Sequence, residues 1–192
     1  MQSSRPHFGF PDIDDTEKFA FEKLIPENFQ QLYLLFETDD SPFTDERFKH
    51  YDTAKQYAID LEKYGRYAPK HGSQDWLFKW ENEYAGVLHL YDRSLETFGE
   101  NNKRCWIGFA VKPSLRKKGI TKKAVAYFIK YIFSNYPDIY YVHAMTLKGN
   151  QAAEALLLSV GFLKDETERL SKKHDFYLAK RKSQINILKN EL

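Results

Sequence analysis

Val111-Lys112-Pro113-Ser114-Leu115-Arg116-Lys117-Lys118-Gly119-Ile120-Thr121 is the stretch on which the reading of this 192-residue chain turns. On its N-terminal side, Cys105–Val111 is a run of strand formers. On its C-terminal side, Gly119 opens a helical pattern that runs to about Ser134 and stops at Pro137. The stretch is therefore a strand-to-helix loop. A helix N-terminus exposes unpaired backbone N–H groups and a partial positive charge, which attract Asp and Glu. Here Arg116, Lys117, Lys118, Lys122 and Lys123 crowd that end instead. These charges repel one another and the helix dipole, so they cost stability unless an anion neutralises them. A phosphate or pyrophosphate seated on the N–H groups is the simplest compensation. Gly119 has no side chain to obstruct its approach. A solvated basic helix end is the plain alternative. A nucleic-acid patch is a third, though no aromatics interleave with the charges as single-strand binding would need.

Working outward, the periodicity changes along the chain. Phe19–Leu24 alternates as a first strand. Pro26 starts a helical pattern weighted by Phe29, Leu32, Leu34, Leu35 and Phe36, and a second helix spans about Thr53 to Tyr64. Trp76–Trp80 and Tyr84–Tyr91 read as an antiparallel hairpin joined by Glu81-Asn82-Glu83. After the basic loop and its helix come a strand at Tyr140–Leu147, a short helix from Asn150 ending before Gly161, and strands near Phe162–Arg169 and Asp175–Lys180. That order implies an α/β (α+β) domain: a mixed, mostly antiparallel sheet of six to seven strands flanked by about four helices. Residues 1–17 read as an N-terminal arm, 18–181 as one domain, and 182–192 as a charged tail or small helix.

Composition sets the class. Charged residues are 29% and hydrophobic ones 42%, ordinary for a globular protein with a real core. A net charge of +2 is too mild to imply nucleic acid by itself. Cys105 is the single cysteine, so no intramolecular disulfide or cysteine-rich metal site is expected. The N-terminus lacks the apolar core of a secretory signal, and no apolar run approaches the roughly 18–20 residues that span a bilayer. A cytoplasmic protein without membrane or nucleic-acid partners follows as the expectation. Exposed strand edges leave room for a homodimer.

The second informative stretch is Gly149-Asn150-Gln151-Ala152-Ala153-Glu154-Ala155-Leu156-Leu157-Leu158-Ser159-Val160-Gly161-Phe162. Asn150 suits an N-cap and Gly161 a left-handed C′ position. Taken with the basic loop, one strand apart, it resembles the GCN5-related N-acetyltransferase family. The family pattern Val-x-Pro-x-x-Arg-x-x-Gly-x-Gly/Ala matches at Val111, Pro113, Arg116 and Gly119, with Thr121 in the last place. The later pattern matches at Asn150, Leu156, Gly161 and Phe162. Ile107-Gly108-Phe109 and Asp175-Phe176-Tyr177-Leu178 look most like the branch that acetylates ribosomal-protein N-termini. The likeness is strong over residues 105–162 and rests on element order elsewhere.

The resemblance implies transfer of an acetyl group from acetyl-CoA to a primary amine, such as a peptide N-terminus, a polyamine or another small amine, without a metal. Arg116, Lys117, Lys118, Gly119, Ile120, Thr121 and Lys122 would hold the CoA pyrophosphate on their backbone. Phe109, Ala110 and Val111 would pair with the pantetheine arm in a gap between strands, and Asn150 would meet that arm from the far side. Spare lysines (Lys117, Lys118 or Lys123) would reach the 3′-phosphate. The chemical helpers depart from the pattern. Trp106 stands where many relatives carry Glu, and Ala153 and Leu157 stand where a Tyr or Ser acid is usual. His89, His143, Asp92 and Tyr177 are the alternative bases. A silent acyl-CoA-binding module is the competing outcome. The acidic stretch Asp39, Asp40, Asp45 and Glu46 is either a lure for a cationic acceptor or a solvated loop.

Overall fold

The computed structural model describes residues 18–65, 73–91, 103–137, 139–166 and 172–181. The expected arm, the tail and Asp92 lie outside these residues. Seven strands form one sheet: β1 (Phe19–Lys23), β2 (Ser73–Trp80), β3 (Glu83–Tyr91), β4 (Lys103–Val111), β5 (Ile139–Leu147), β6 (Leu163–Lys164) and β7 (His174–Lys180). Their order is β1-β2-β3-β4-β5-β7-β6. Every pairing is antiparallel except β4 with β5. The helices are α1 (Phe29–Phe36), α2 (Tyr51–Gly65), α3 (Ile120–Asn135) and α4 (Gln151–Ser159). The expected α+β sheet with four helices is therefore the fold of the protein.

The sheet is covered on both faces, which explains its two cores. On one face, Ile120, Ala124, Val125, Phe128 and Ile132 of α3 and Leu157 of α4 pack with Trp76, Leu88, Ile107, Ala144 and Tyr177. On the other, Leu32, Leu35 and Phe36 of α1 and Ala54, Ala58 and Leu61 of α2 pack with Leu77 and Val87. The helical spacing of those residues turns one stripe of each helix inward. Each fully buried Leu, Ile or Phe side chain contributes about 1.5–3 kcal/mol. Arg181 secures the far end of α3, donating to the carbonyls of Phe133, Tyr136 and Ile139.

Two boundaries differ from the pattern-based reading. The helix expected from Pro26 begins at Phe29. Asn28 explains the delay: its Oδ1 accepts from the Ile25 N–H, while its Nδ2 donates to Glu22 and to the Lys23 carbonyl. That side chain locks a turn onto β1. Of the strand expected over 162–169, the described residues show Leu163–Lys164, paired to Leu178 and Tyr177, while 167–169 lie outside them.

The hairpin of β2 and β3 turns through Glu81 and Asn82, both at positive φ (52° and 70°), as a two-residue type I′ turn requires. Its register then shifts between Phe78 and Lys79, a β-bulge opposite Gly86. Gly86 is there for space. A Cβ on it would lie 2.3 Å from the Ala110 carbonyl oxygen and 2.5 Å from the Phe78 ring.

Candidate active site

The site begins as a gap in the sheet. β4 and β5 pair only from Lys103 opposite Ile139 to Ile107 opposite Ala144. β4 runs on to Val111 and β5 to Leu147, yet they no longer bond to each other. The other edge of β4 stays paired with β3 as far as Gly86 opposite Val111. The β5-facing edge of Gly108–Val111 is thus left without a strand partner among the described residues. A backbone edge of this kind can accept an extended ligand as it would another strand.

The basic loop sits at the open end of this wedge. Pro113–Leu115 makes a 3₁₀ turn, Arg116 is extended, and Lys117 (φ 61°) and Gly119 (φ 75°) are both left-handed. Leu115 and Arg116 donate back to Lys112 and Pro113, and Lys123 donates to Gly119. Residues 117–122 donate to no backbone carbonyl among the described residues. No acidic residue occupies the first turn of α3. Lys117, Lys118, Lys122 and Lys123 are exposed. A Cβ at Gly119 would meet nothing in the protein. Its left-handed backbone, rather than crowding by protein atoms, is what calls for glycine.

Arg116 does something the sequence did not disclose. Its guanidinium bonds the Asp39 carboxylate and lies 3.3 Å from the Thr44 hydroxyl. Asp39 is buried, and also accepts from the Thr44 hydroxyl at 2.6 Å and the Ser41 N–H at 3.0 Å. Burial alone would raise the Asp39 pKa. Arg116, Thr44 and Ser41 outweigh it and hold the pKa below the usual 3.8. The bridge joins the loop after α1 to the loop before α3. The rest of the acidic stretch is similarly engaged. Asp45 accepts from the Arg47 N–H and guanidinium, and Glu46 pairs with Lys49 and His50. Only Asp40 is simply exposed.

At the closed end of the wedge lies a cavity of about 300 Å³. Pro42–Asp45, Ile107–Phe109, Met145–Leu147, Asn150, Ala153 and His174 line it. Asn150 caps α4 through its Oδ1, which accepts from the Ala153 N–H at 3.2 Å, while the residue also faces the cavity. Sequence reasoning missed His174, Phe43 and Met145, which come together only because β5 and β7 pair beside the loop after α1.

The expected helper positions are plain in the structure. Trp106 is buried with its ring 4.9 Å from His143 and 6.0 Å from Phe176, filling the place of a carboxylate with an aromatic plug. Leu157 is in the core, and Ala153 is part of the cavity wall. His143 has its pKa pushed down to about 4, first by burial and then by the positive charge of Arg104. Tyr177 is fully buried, and burial, with Glu154 nearby, raises its pKa. Neither is placed on the cavity wall. His89 is also buried, with Nδ1 2.6 Å from Oδ2 of Asp75.

Comparison with known proteins agrees with this geometry. The family model described as "Acetyltransferase (GNAT) family" matches residues 29–162. The chain belongs to that family and is an acetyltransferase by class. No curated protein matches its sequence. Among solved structures, the Salmonella typhimurium acetyltransferase that modifies the N-terminal serine of ribosomal protein L7/L12 superposes with a TM-score of 0.68. It shares 14% identity, over 87% of this chain and 97% of that one. AAC(6′)-Ib in complex with ribostamycin and coenzyme A gives 0.68 at 13% identity, over 92% and 99%. A spermidine N-acetyltransferase chimera from Vibrio cholerae and human sequences gives 0.60 at 12%, over 85% and 95%. At these identities the likeness is one of fold.

Proposed function

We propose that this protein moves the acetyl group of acetyl-CoA onto a primary amine by direct attack of the amine on the thioester. The observation that carries the proposal is the wedge, open at residues 117–122, whose N–H groups donate to no backbone carbonyl among the described residues, and closed at a cavity. The backbone of Lys117–Lys122, flanked by four exposed lysines, suits the pyrophosphate and 3′-phosphate. The edge of Phe109, Ala110 and Val111 suits the amide groups of pantetheine, and Asn150 faces the arm from α4. Arg116 stands apart from this group, its N–H donating to the Pro113 carbonyl and its guanidinium held by Asp39.

Catalysis then rests on general effects. Binding both substrates at one cavity removes much of the entropic barrier. A backbone N–H of β4 beside the thioester oxygen would stabilise the developing oxyanion. The acceptor enters past Pro42–Asp45, a wall whose exposed Phe43 favours an amine carried on an apolar body. A protein α-amine fits this wall better than a polycation, because three of the four acidic groups nearby are already engaged.

The test is thiol release from acetyl-CoA over a panel of N-terminal peptides, spermidine and ribostamycin. Turnover with a peptide is the expected result. Tight acetyl-CoA binding with no thiol release from any acceptor would leave a silent binder.

A further inference from the structure

Three of the eight large apolar side chains that stay exposed among the described residues gather at the cavity: Phe43 (43% exposed), Met145 (44%) and Leu147 (37%). Single exposed apolar side chains are ordinary, whereas several facing one concave site mark a surface that a ligand covers. Met145 and Leu147 are two residues apart on β5, so their side chains leave the sheet on one face. Val142 and Ala144 of the same strand belong to the core under α3 and α4, which puts Met145 and Leu147 on the opposite face. There α1 and α2 pack on Leu77 of β2 and Val87 of β3, and no described residue of β5 joins that core.

Phe43 reaches the same cavity from the loop after α1, and that loop is firmly held. Buried Asp39 accepts from the Ser41 N–H and the Thr44 hydroxyl and bonds Arg116. Ser41 in turn accepts the Phe43 N–H on its Oγ at 3.2 Å and the Lys49 Nζ on its carbonyl at 2.9 Å. The phenyl ring therefore stands on a fixed backbone, which lowers the ordering cost that a ligand has to meet.

Three polar side chains of the same wall are engaged within the protein. The Thr44 hydroxyl donates to Asp39, the Asp45 carboxylate accepts from Arg47, and Oδ1 of Asn150 caps α4. What the wall offers an acceptor is chiefly apolar surface. Stability gives no reason for it, since the exposed part of a side chain gains nothing from folding. Position gives one. Gly108 and Phe109, on the β4 edge left without a strand partner, line this cavity too, so a thioester lying along that edge ends beside Met145 and Leu147.

Resting on the acetyl-transfer reading above, we infer that Phe43, Met145 and Leu147 form the subsite for the group carried next to the acceptor's amine, and that they select an aliphatic or aromatic one. The favoured acceptor is a peptide that begins with leucine, methionine or phenylalanine. A first residue with a hydroxyl or carboxylate, a polyamine or an aminoglycoside would bring polar groups that lose water against this wall. The cavity, about 300 Å³, is at the small end of ligand sites, room for the thioester end and one such group.

The experiment uses tetrapeptides that differ only in their first residue (leucine, phenylalanine, serine or aspartate), with spermidine and ribostamycin beside them. Thiol release from acetyl-CoA gives kcat and KM for each, in wild type and in Phe43→Ser, Met145→Ser, Leu147→Ser and Leu163→Ser. All four side chains are exposed, so the variants should fold, and thermal midpoints check that they do. Wild type should prefer the leucine peptide to the serine peptide by at least about tenfold in kcat/KM, the discrimination that one methylene commands in an apolar pocket. Each of the first three substitutions should cut that ratio severalfold, mainly by raising KM for the leucine peptide. Leu163→Ser, exposed on β6 and outside the cavity wall, should leave the ratio as in wild type. A wild type that uses the serine peptide, spermidine or ribostamycin as well as the leucine peptide would overturn the subsite. So would a preference that survives all three substitutions, or one that falls equally in Leu163→Ser. Each of these outcomes includes thiol release and so leaves the transferase reading standing. Calorimetric binding of acetyl-CoA with no thiol release from any acceptor would overturn that reading, and the subsite with it.

Discussion

Removing the guanidinium of Arg116 would leave the Asp39 carboxylate buried with only the Thr44 hydroxyl and the Ser41 N–H to hold it. Breaking one side of such a pair is costly, whereas replacing both sides with apolar groups is nearly neutral. Arg116→Ala should therefore lower unfolding stability by about 3 kcal/mol in urea titrations. The double variant Arg116→Met with Asp39→Leu should recover most of that loss, a coupling that a double-mutant cycle reads directly. His143 makes a different claim on stability. Its folded pKa of about 4 lies below the ordinary 6.5, so the unfolded chain takes up a proton that the folded chain refuses. Stability from this group is complete above pH 6.5 and is lost as pH falls towards 4. His143→Leu should flatten the urea midpoint between pH 6.5 and 4.5, a range above the pKa of Asp39 and of Glu22, both of which are held below their ordinary values.

At the scale of elements, α3 begins with four exposed lysines and no carboxylate. Lys118→Glu with Lys122→Glu should weaken CoA binding roughly thirtyfold at low salt, since each exposed charge contributes on the order of 1 kcal/mol. The difference should shrink as salt rises, because these groups are screened. Calorimetry at two ionic strengths checks both statements, and a folded variant with unchanged affinity would remove the pyrophosphate from this loop. The loop was legible in the sequence because its signal is local: a strand run, a charge cluster, a glycine and a helical period lie in one stretch. The helices and strands were legible for the same reason. The Asp75–His89 pair was not. Counted from the Glu81-Asn82 turn, an unbroken hairpin sets Asp75 against Leu88, and the bulge at Phe78 moves it to His89. The Arg116–Asp39 bridge joins residues 77 apart, and no spacing rule reaches that far. Pattern reading also supplied Asp39 and Asp45 as possible lures, while their engagement by Arg116 and Arg47 appeared only in three dimensions.

At the scale of the molecule, the two-sided cover of the sheet makes the acetyltransferase asymmetric. α1 and α2 sit on the face that holds His89, while α3 and α4 sit on the other and supply the lysines and Asn150. The cavity where they meet is thus assembled from both layers, and the Arg116–Asp39 bridge links the loops that approach it. The parting of β4 from β5 has a consequence for how the protein holds itself together. Beyond Ala144 no strand pairing among the described residues joins β4 to β5, so on the proposed reading the nucleotide thioester would be the stitch. Occupancy at one hundred times Kd should add about 2.7 kcal/mol to unfolding. The β5-facing amides of Gly108–Val111 should exchange hydrogen for deuterium quickly without acetyl-CoA and slowly with it. Equal exchange in both states would mean that the seam closes by other means.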